Sequence, residues 1–181
     1  TGDVRYGRIG AILLDRVADI YPDLTLEGYE KFPNNDGGTN TGRALGRIWE
    51  CLLTVNLPEA YDILYPLYDD PYVVEFLNAR AHDWGYGNAK DSAAKIRENI
   101  ETNLLYEMYL ACKKDQIYGN FGLPQAVLMT AAAALDTYPA TQEIIDFAFQ
   151  YAETDYRTYV TGGNINYQLI EVLYRDGQSY E

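Results

Sequence analysis

The stretch DSAAKIRENIETNLLYEMYLACK, Asp91 to Lys113, decides the fold. Its residues Ala93, Ile96, Ile100, Leu104, Met108 and Ala111 recur every three or four positions, the spacing that places side chains on one face of an α-helix. Asp91 or Ser92 stands just ahead, where a short oxygen-bearing side chain accepts from the free N–H groups of a first turn. One long helix ending near residue 113 is expected. Upstream, Ile9, Leu13, Val17 and Ile20 mark an amphipathic helix over residues 3–20, closed by Pro22. Leu45, Ile48, Leu52 and Val55, flanked by Trp49 and Leu53, form a broad stripe over 44–56. Pro58 suits the first turn of a helix over 58–66, so that 44–56 and 58–66 form two helices or one kinked helix, and a short one follows at 71–80. Downstream, helices are expected at 124–136, 140–152 and 164–174, with Pro124 and Pro139 at first-turn positions and Gly162-Gly163 as a break. No alternating strand pattern and no residue-level repeat is visible. The expectation is an all-α fold of antiparallel helix pairs, with 1–181 as a single helical domain.

Between these helices lie loops of unusual composition. Tyr29 to Gly42 contains Pro33, Asn34, Asn35, Asp36, Gly37 and Gly38, which no regular element accommodates, and loops of this length often line sites. Trp84, Gly85, Tyr86, Gly87 and Asn88 make a second, aromatic loop. The chain holds 18 tyrosines, which suit either helix packing with wet edges or clefts that stack on sugar rings.

The composition narrows the function. With 48% hydrophobic and 23% charged residues, the chain has the make-up of a globular domain rather than a disordered one. Lys plus Arg total 14 against 27 Asp plus Glu, a net charge of −13. That disfavours nonspecific nucleic-acid or anionic-membrane binding, and a polyanion would need locally gathered cations. No apolar stretch approaches the roughly 18 residues of a membrane span. Cys51 and Cys112 both sit in apolar helical patterns, as buried free thiols do. No phosphate loop, CxxC pair, His cluster or GxSxG elbow is present, so neither metal nor cofactor is expected.

Four ordered pieces carry a resemblance. They are Arg47-Ile48-Trp49-Glu50 through Glu59-Ala60-Tyr61-Asp62; Asn99 to Lys113; Tyr118-Gly119-Asn120-Phe121-Gly122-Leu123-Pro124-Gln125; and Gly163-Asn164-Ile165 to Arg175-Asp176-Gly177. Together they cover about three-quarters of the chain, which resembles the helical part of heparinase II/III-like polysaccharide lyases. The resemblance implies an incomplete (α/α) toroid, a fragment of a larger multidomain protein whose remainder is a partner. It also implies a periplasmic or secreted location and β-elimination of an acidic, uronic-acid glycan. That chemistry needs a carboxylate neutraliser, a base and an acid.

By this resemblance Asn120 is the carboxylate-facing amide and Gln125 a second one nearby, where first-turn N–H groups also favour an anion. Turn and capping roles suit the same two residues. Relatives tend to carry His at the position of Pro124, and the expected Tyr segment does not precede Glu181; Tyr180 does not match it. Arg43 and Arg47 share a helical face and suit a substrate carboxylate or sulfate, although Glu50 can pair with Arg47. Trp84, Tyr86 and Tyr118 suit sugar stacking or core packing. His82, the sole histidine, suits a supporting role. Two alternatives stay open: a noncatalytic carbohydrate-binding or scaffold module, and a toroid glycoside hydrolase using paired carboxylates, for which Asp36, Asp83 and Asp176 are candidates.

Overall fold

The computed structural model describes residues 2–26, 42–45, 47–85, 87–114, 116–117 and 123–149. Among these the chain is helical, with no strand: α1 Val4–Ile20, α2 Arg47–Thr54, α3 Asn56–Leu64, α4 Pro71–Asp83, α5 Ala93–Ile100, α6 Glu107–Lys113, α7 Leu123–Leu135 and α8 Ala140–Phe149. Tyr21–Asp23 and Tyr65–Asp69 are single 3-10 turns, each built around a proline. The all-α expectation holds. The expected helix at 164–174 and most of the 29–42 loop lie outside the described residues.

From Ala93 to Lys113 the stretch is helical throughout, but it is not one uniform helix. Ser92 caps α5, its hydroxyl accepting from Lys95 N at 3.4 Å. Glu101–Tyr106 then winds as a π-helix before α6 begins. A π turn inserts extra backbone into the 3.6-residue repeat and so shifts which side chains face inward. Ile96, Asn99 and Ile100 are buried before it, and Leu104, Leu105 and Met108 across and after it. The apolar face survives, while Thr102 and Asn103 are delivered to the side wall.

Helix α1 corrects the direction read from its stripe. Ile9, Leu13 and Ile20 are 54%, 59% and 39% exposed, whereas Ala11, Leu14, Asp15 and Ala18 are buried. Small residues win the inner face because neighbours approach closely there. A Cβ added at Gly7 would stand 2.6 Å from Leu67 Cδ1, and one at Gly10 would stand 3.3 Å from Leu64 Cδ2. Helix α2 behaves likewise: Glu50, Cys51 and Thr54 are buried while Trp49, Leu52 and Leu53 face outward, as does Leu45 ahead of it. Its inner face is fixed by Glu50, whose carboxylate accepts from the N–H groups of Ala44 and Leu45 at 3.0 and 2.8 Å.

Tyrosines provide much of the core. Tyr21, Tyr61 and Tyr68 are each at most 1% exposed, and Tyr61 packs edge-on to Tyr65 at 5.6 Å between ring centroids. Tyr61 donates its hydroxyl to Glu101 Oε1 at 2.6 Å, and Tyr106 donates to Glu143 Oε2 at 2.8 Å. These two bonds tie the π segment to α3 on one side and to α8 on the other. Burying a Tyr ring is most favourable when its hydroxyl finds a partner or water; these carboxylates supply one to Tyr61 and Tyr106, whereas the Tyr21 and Tyr68 hydroxyls have none among the described residues.

Candidate functional site

The described residues bring their polar chemistry together where α1, the segment after α4, and the start of α5 meet. Asp70 caps α4 by accepting from Tyr72 N at 2.9 Å, and the helix ends at Gly85, whose φ of +72° an L side chain rarely adopts. From there the chain runs back along α5, carrying Asn88 and Lys90.

Lys90 is 1% exposed. A buried ammonium is tolerated only with opposite charge and full hydrogen bonding, and α1 provides both. Lys90 Nζ donates to Asp15 Oδ2 and Asp19 Oδ1, each at 2.6 Å. The two aspartates are four residues apart and so lie on one face. Asn99 completes the set, donating to Asp15 Oδ1 at 2.9 Å and Asp19 Oδ1 at 3.1 Å, and it accepts from Asn103 Nδ2 at 2.8 Å. Arg16 lies 3.6 Å from Asp19 Oδ2. Burial pushes the Asp15 carboxyl above its ordinary 3.8, against the lowering pull of Lys90. The Tyr68 hydroxyl is buried without a hydrogen-bond partner among the described residues, and burial, then the charge of Asp15, raises its pKa.

This network supports a cleft. Asn99 and Asn103 form its inner wall, with Asn88, Lys95, Glu98 and Thr102 around them, enclosing about 500 Å³. A second hollow of about 540 Å³ lies on the other side of the 87–89 segment, bordered by Asn78, His82 and Asp83. The 87–89 segment, which leads into Lys90, therefore lines both hollows. Trp84, 48% exposed, stands at its start, with the Arg16 guanidinium 5.1 Å above its ring.

The cluster is a brace rather than a catalytic dyad. Asp15 and Asp19, with side chains 1% and 6% exposed, are bridged by one ammonium, which holds both as hydrogen-bond acceptors. No group of three metal-ligating side chains occurs among the described residues. Cys51 is no ready nucleophile, since burial and then the nearby Glu50 push its thiol up to about 12. Cys51 and Cys112 are free and buried, as the sequence suggested.

Of the residues singled out from sequence, Arg43 is the one the structure reassigns. It is 3% exposed, not open to a ligand. Its guanidinium donates to Glu107, to Tyr21 O at 2.8 Å and to Gln116 Oε1 at 3.2 Å, and it lies 5.0 Å from the Tyr21 ring centre. A guanidinium so engaged clamps the 42–45 turn to α6. Gln125 is 8% exposed in the first turn of α7. The side chain of Arg47, and Tyr86, Tyr118 and Asn120 entirely, lie outside the described residues. His82 has a side chain 93% exposed, 3.9 Å from Asp83. Sequence reading missed Asp15, Asp19, Lys90, Asn99 and Asn103. The signal available was two polar pairs at four-residue spacing, each embedded in an apolar face.

No helix among the described residues is long and apolar enough to cross a membrane. No family model matches the chain, and neither a curated protein nor a solved structure does.

Proposed function

We propose that this chain is a glycan-binding helical domain, arranged as part of an (α/α) toroid of the polysaccharide-lyase kind and acting outside the cytoplasm with the remainder of its own protein. The supporting observation is the amide-lined cleft beside α5. Its wall of Asn88, Asn99, Thr102 and Asn103 carries amide and hydroxyl donors and acceptors, and the Lys90 brace holds two of those four side chains, Asn99 and Asn103, before any ligand arrives. Preorganised amides of this sort bind sugar hydroxyls without first being ordered.

Lyase chemistry on a uronic-acid polymer is the catalytic form of the same proposal. It rests on the sequence resemblance and on Gln125, an amide at the first turn of α7. Asn120 would be the group that neutralises the uronate. One experiment separates the outcomes: the intact protein is incubated with a panel of uronic and neutral polysaccharides while ultraviolet absorbance, reducing ends and binding are followed. New absorbance from 4,5-unsaturated ends supports elimination, reducing ends alone support hydrolysis by paired carboxylates, and binding without either supports the noncatalytic module. No binding to any glycan refutes the proposal.

A further inference from the structure

Resting on that glycan-binding proposal, we infer that the cleft beside α5 selects uncharged sugar residues rather than uronates. Three features of its lining carry this. The first is where the cations are. Lys95, the lining lysine, is 2.9 Å from Asp91, and Lys90 behind the wall is enclosed by Asp15 and Asp19. The second is the charge that does face the cleft: the exposed Glu98 lines it, so a ligand carboxylate would meet a like charge. With Lys95 engaged by Asp91, the lining offers no surplus of positive charge to a ligand carboxylate, and the low dielectric of a partly enclosed cleft strengthens the repulsion from Glu98.

The third feature is the remaining hydrogen-bond capacity. Asn103 spends one N–H on Asn99 and retains a second N–H and its carbonyl oxygen. The side chains of Asn88 and Thr102 make no hydrogen bond to any described residue. Sugar hydroxyls both donate and accept, so a mixed set of amide and hydroxyl groups matches them where a carboxylate-binding site would present donors alone. The cleft volume of about 500 Å³ lies within the range usual for small-ligand sites.

The test uses the full chain and titration calorimetry with two sets of oligosaccharides of equal length: cello-, xylo- and chito-oligosaccharides as neutral probes, and oligogalacturonate and oligomannuronate as charged ones. At least one neutral probe is expected to bind roughly tenfold more tightly than either uronate. Its Kd should change little between about 0.05 and 0.5 M salt, because no ion pair is formed or lost. The substitutions Asn88→Ala and Thr102→Ala, at exposed positions where folding has little at stake, should each weaken neutral binding roughly fivefold, as loss of one hydrogen bond does. Tighter, salt-sensitive uronate binding would overturn the inference while leaving the glycan-binding proposal standing. So would neutral binding indifferent to both substitutions. Silence from both probe sets would remove the glycan-binding proposal itself.

Discussion

Replacing Lys90 by Met puts the central brace to the test, because it removes the charge and keeps most of the buried stem. In the native protein the ammonium lies 2.6 Å from both Asp15 and Asp19. Deleting one partner of a buried ion pair costs about 3–5 kcal/mol, since the other charge is left behind in a poor solvent. Here Asn99 still donates to both carboxylates at 2.9 and 3.1 Å, and Arg16 remains 3.6 Å from Asp19, so the lower end of that range applies, about 3 kcal/mol. For a chain of 181 residues each kcal/mol moves Tm by roughly 2–4 °C, giving a fall of about 6–12 °C at neutral pH.

The loss should depend on pH in a determined direction. Asp15 already holds its proton more tightly folded than unfolded, mainly because it is buried, and without Lys90 that difference grows. A carboxyl with a raised folded pKa favours the folded state most below the ordinary value of 3.8 and ceases to do so as pH rises through the folded value. The deficit of the variant relative to the native chain should therefore be largest near neutrality and shrink on acidification toward pH ~4. Thermal unfolding followed by circular dichroism across that range measures both quantities. The double variant with Asp15→Asn should recover part of the loss, because one stranded charge is gone. A deficit under about 1 kcal/mol, or one that grows in acid, would refute the buried placement of Lys90.

Four further substitutions probe other parts of the fold. Arg43→Met should lower stability by about 3 kcal/mol in denaturant titrations, since Glu107 keeps only the more distant Lys114 at 3.9 Å; a stability-neutral variant with lost glycan binding would instead return Arg43 to a ligand-gripping role. Gly7→Ala should stay within about 0.5 kcal/mol of native, because the shift it forces on the flexible end of Leu67 offsets the gain in helix propensity. Gly10→Ala, with its nearest neighbour at 3.3 Å, should stay within about 0.5 kcal/mol of native in the same titration. Asp70 is held below its ordinary 3.8, first by its hydrogen bonds from Arg8 and further by capping α4, so its contribution is present above pH 3.8 and is lost as pH falls through the folded value. Asp70→Asn should thus lower Tm at neutral pH, with the gap to native closing in acid; an unchanged gap would contradict the assignment.

Helices were legible from sequence because their signals are local. The Ser92 cap, the first-turn position of Pro124 and the apolar rhythm from Ala93 to Ala111 each report on neighbouring residues alone. The inward direction of α1 was not legible, since the helix carries two stripes and the choice between them is made by distant partners. Leu64, Leu67 and Lys90 favour the face bearing Gly7, Gly10 and Asp15. The π segment was equally hidden: inserting it preserves an apolar periodicity that an unbroken helix also explains. Arg43 looked like a site residue because an arginine beside a loop often is. Glu107, 64 residues away in the chain, was the partner that spacing could not show.

The charge distribution ties the fold to the proposed ligand. Of the 14 lysines and arginines, ten have described side chains. Nine of these ten lie within 4 Å of a carboxylate, and the tenth, Lys113, lies 5.0 Å from the Tyr109 ring centre. Lys90 and Arg43 are thus spent inside the fold, while Arg5, Arg80, Lys95 and Lys114 stay at the surface beside carboxylates, so the described cations are matched by acids and leave no surplus of positive charge. A polymer of uronates approaching Glu98 meets repulsion that falls with added salt, whereas a neutral sugar meets the amides and the hydroxyl of the same lining without that penalty. Elimination on a uronate would need its neutralising group from the Asn120 segment or from cations beyond the described side chains, with Gln125 as a second amide nearby. A uronate at that end of the chain and uncharged residues in the cleft beside α5 would together require a mixed polymer. Homopolymers of either kind should then bind more weakly than an alternating one, and equal affinity for all three would separate the cleft from the elimination chemistry.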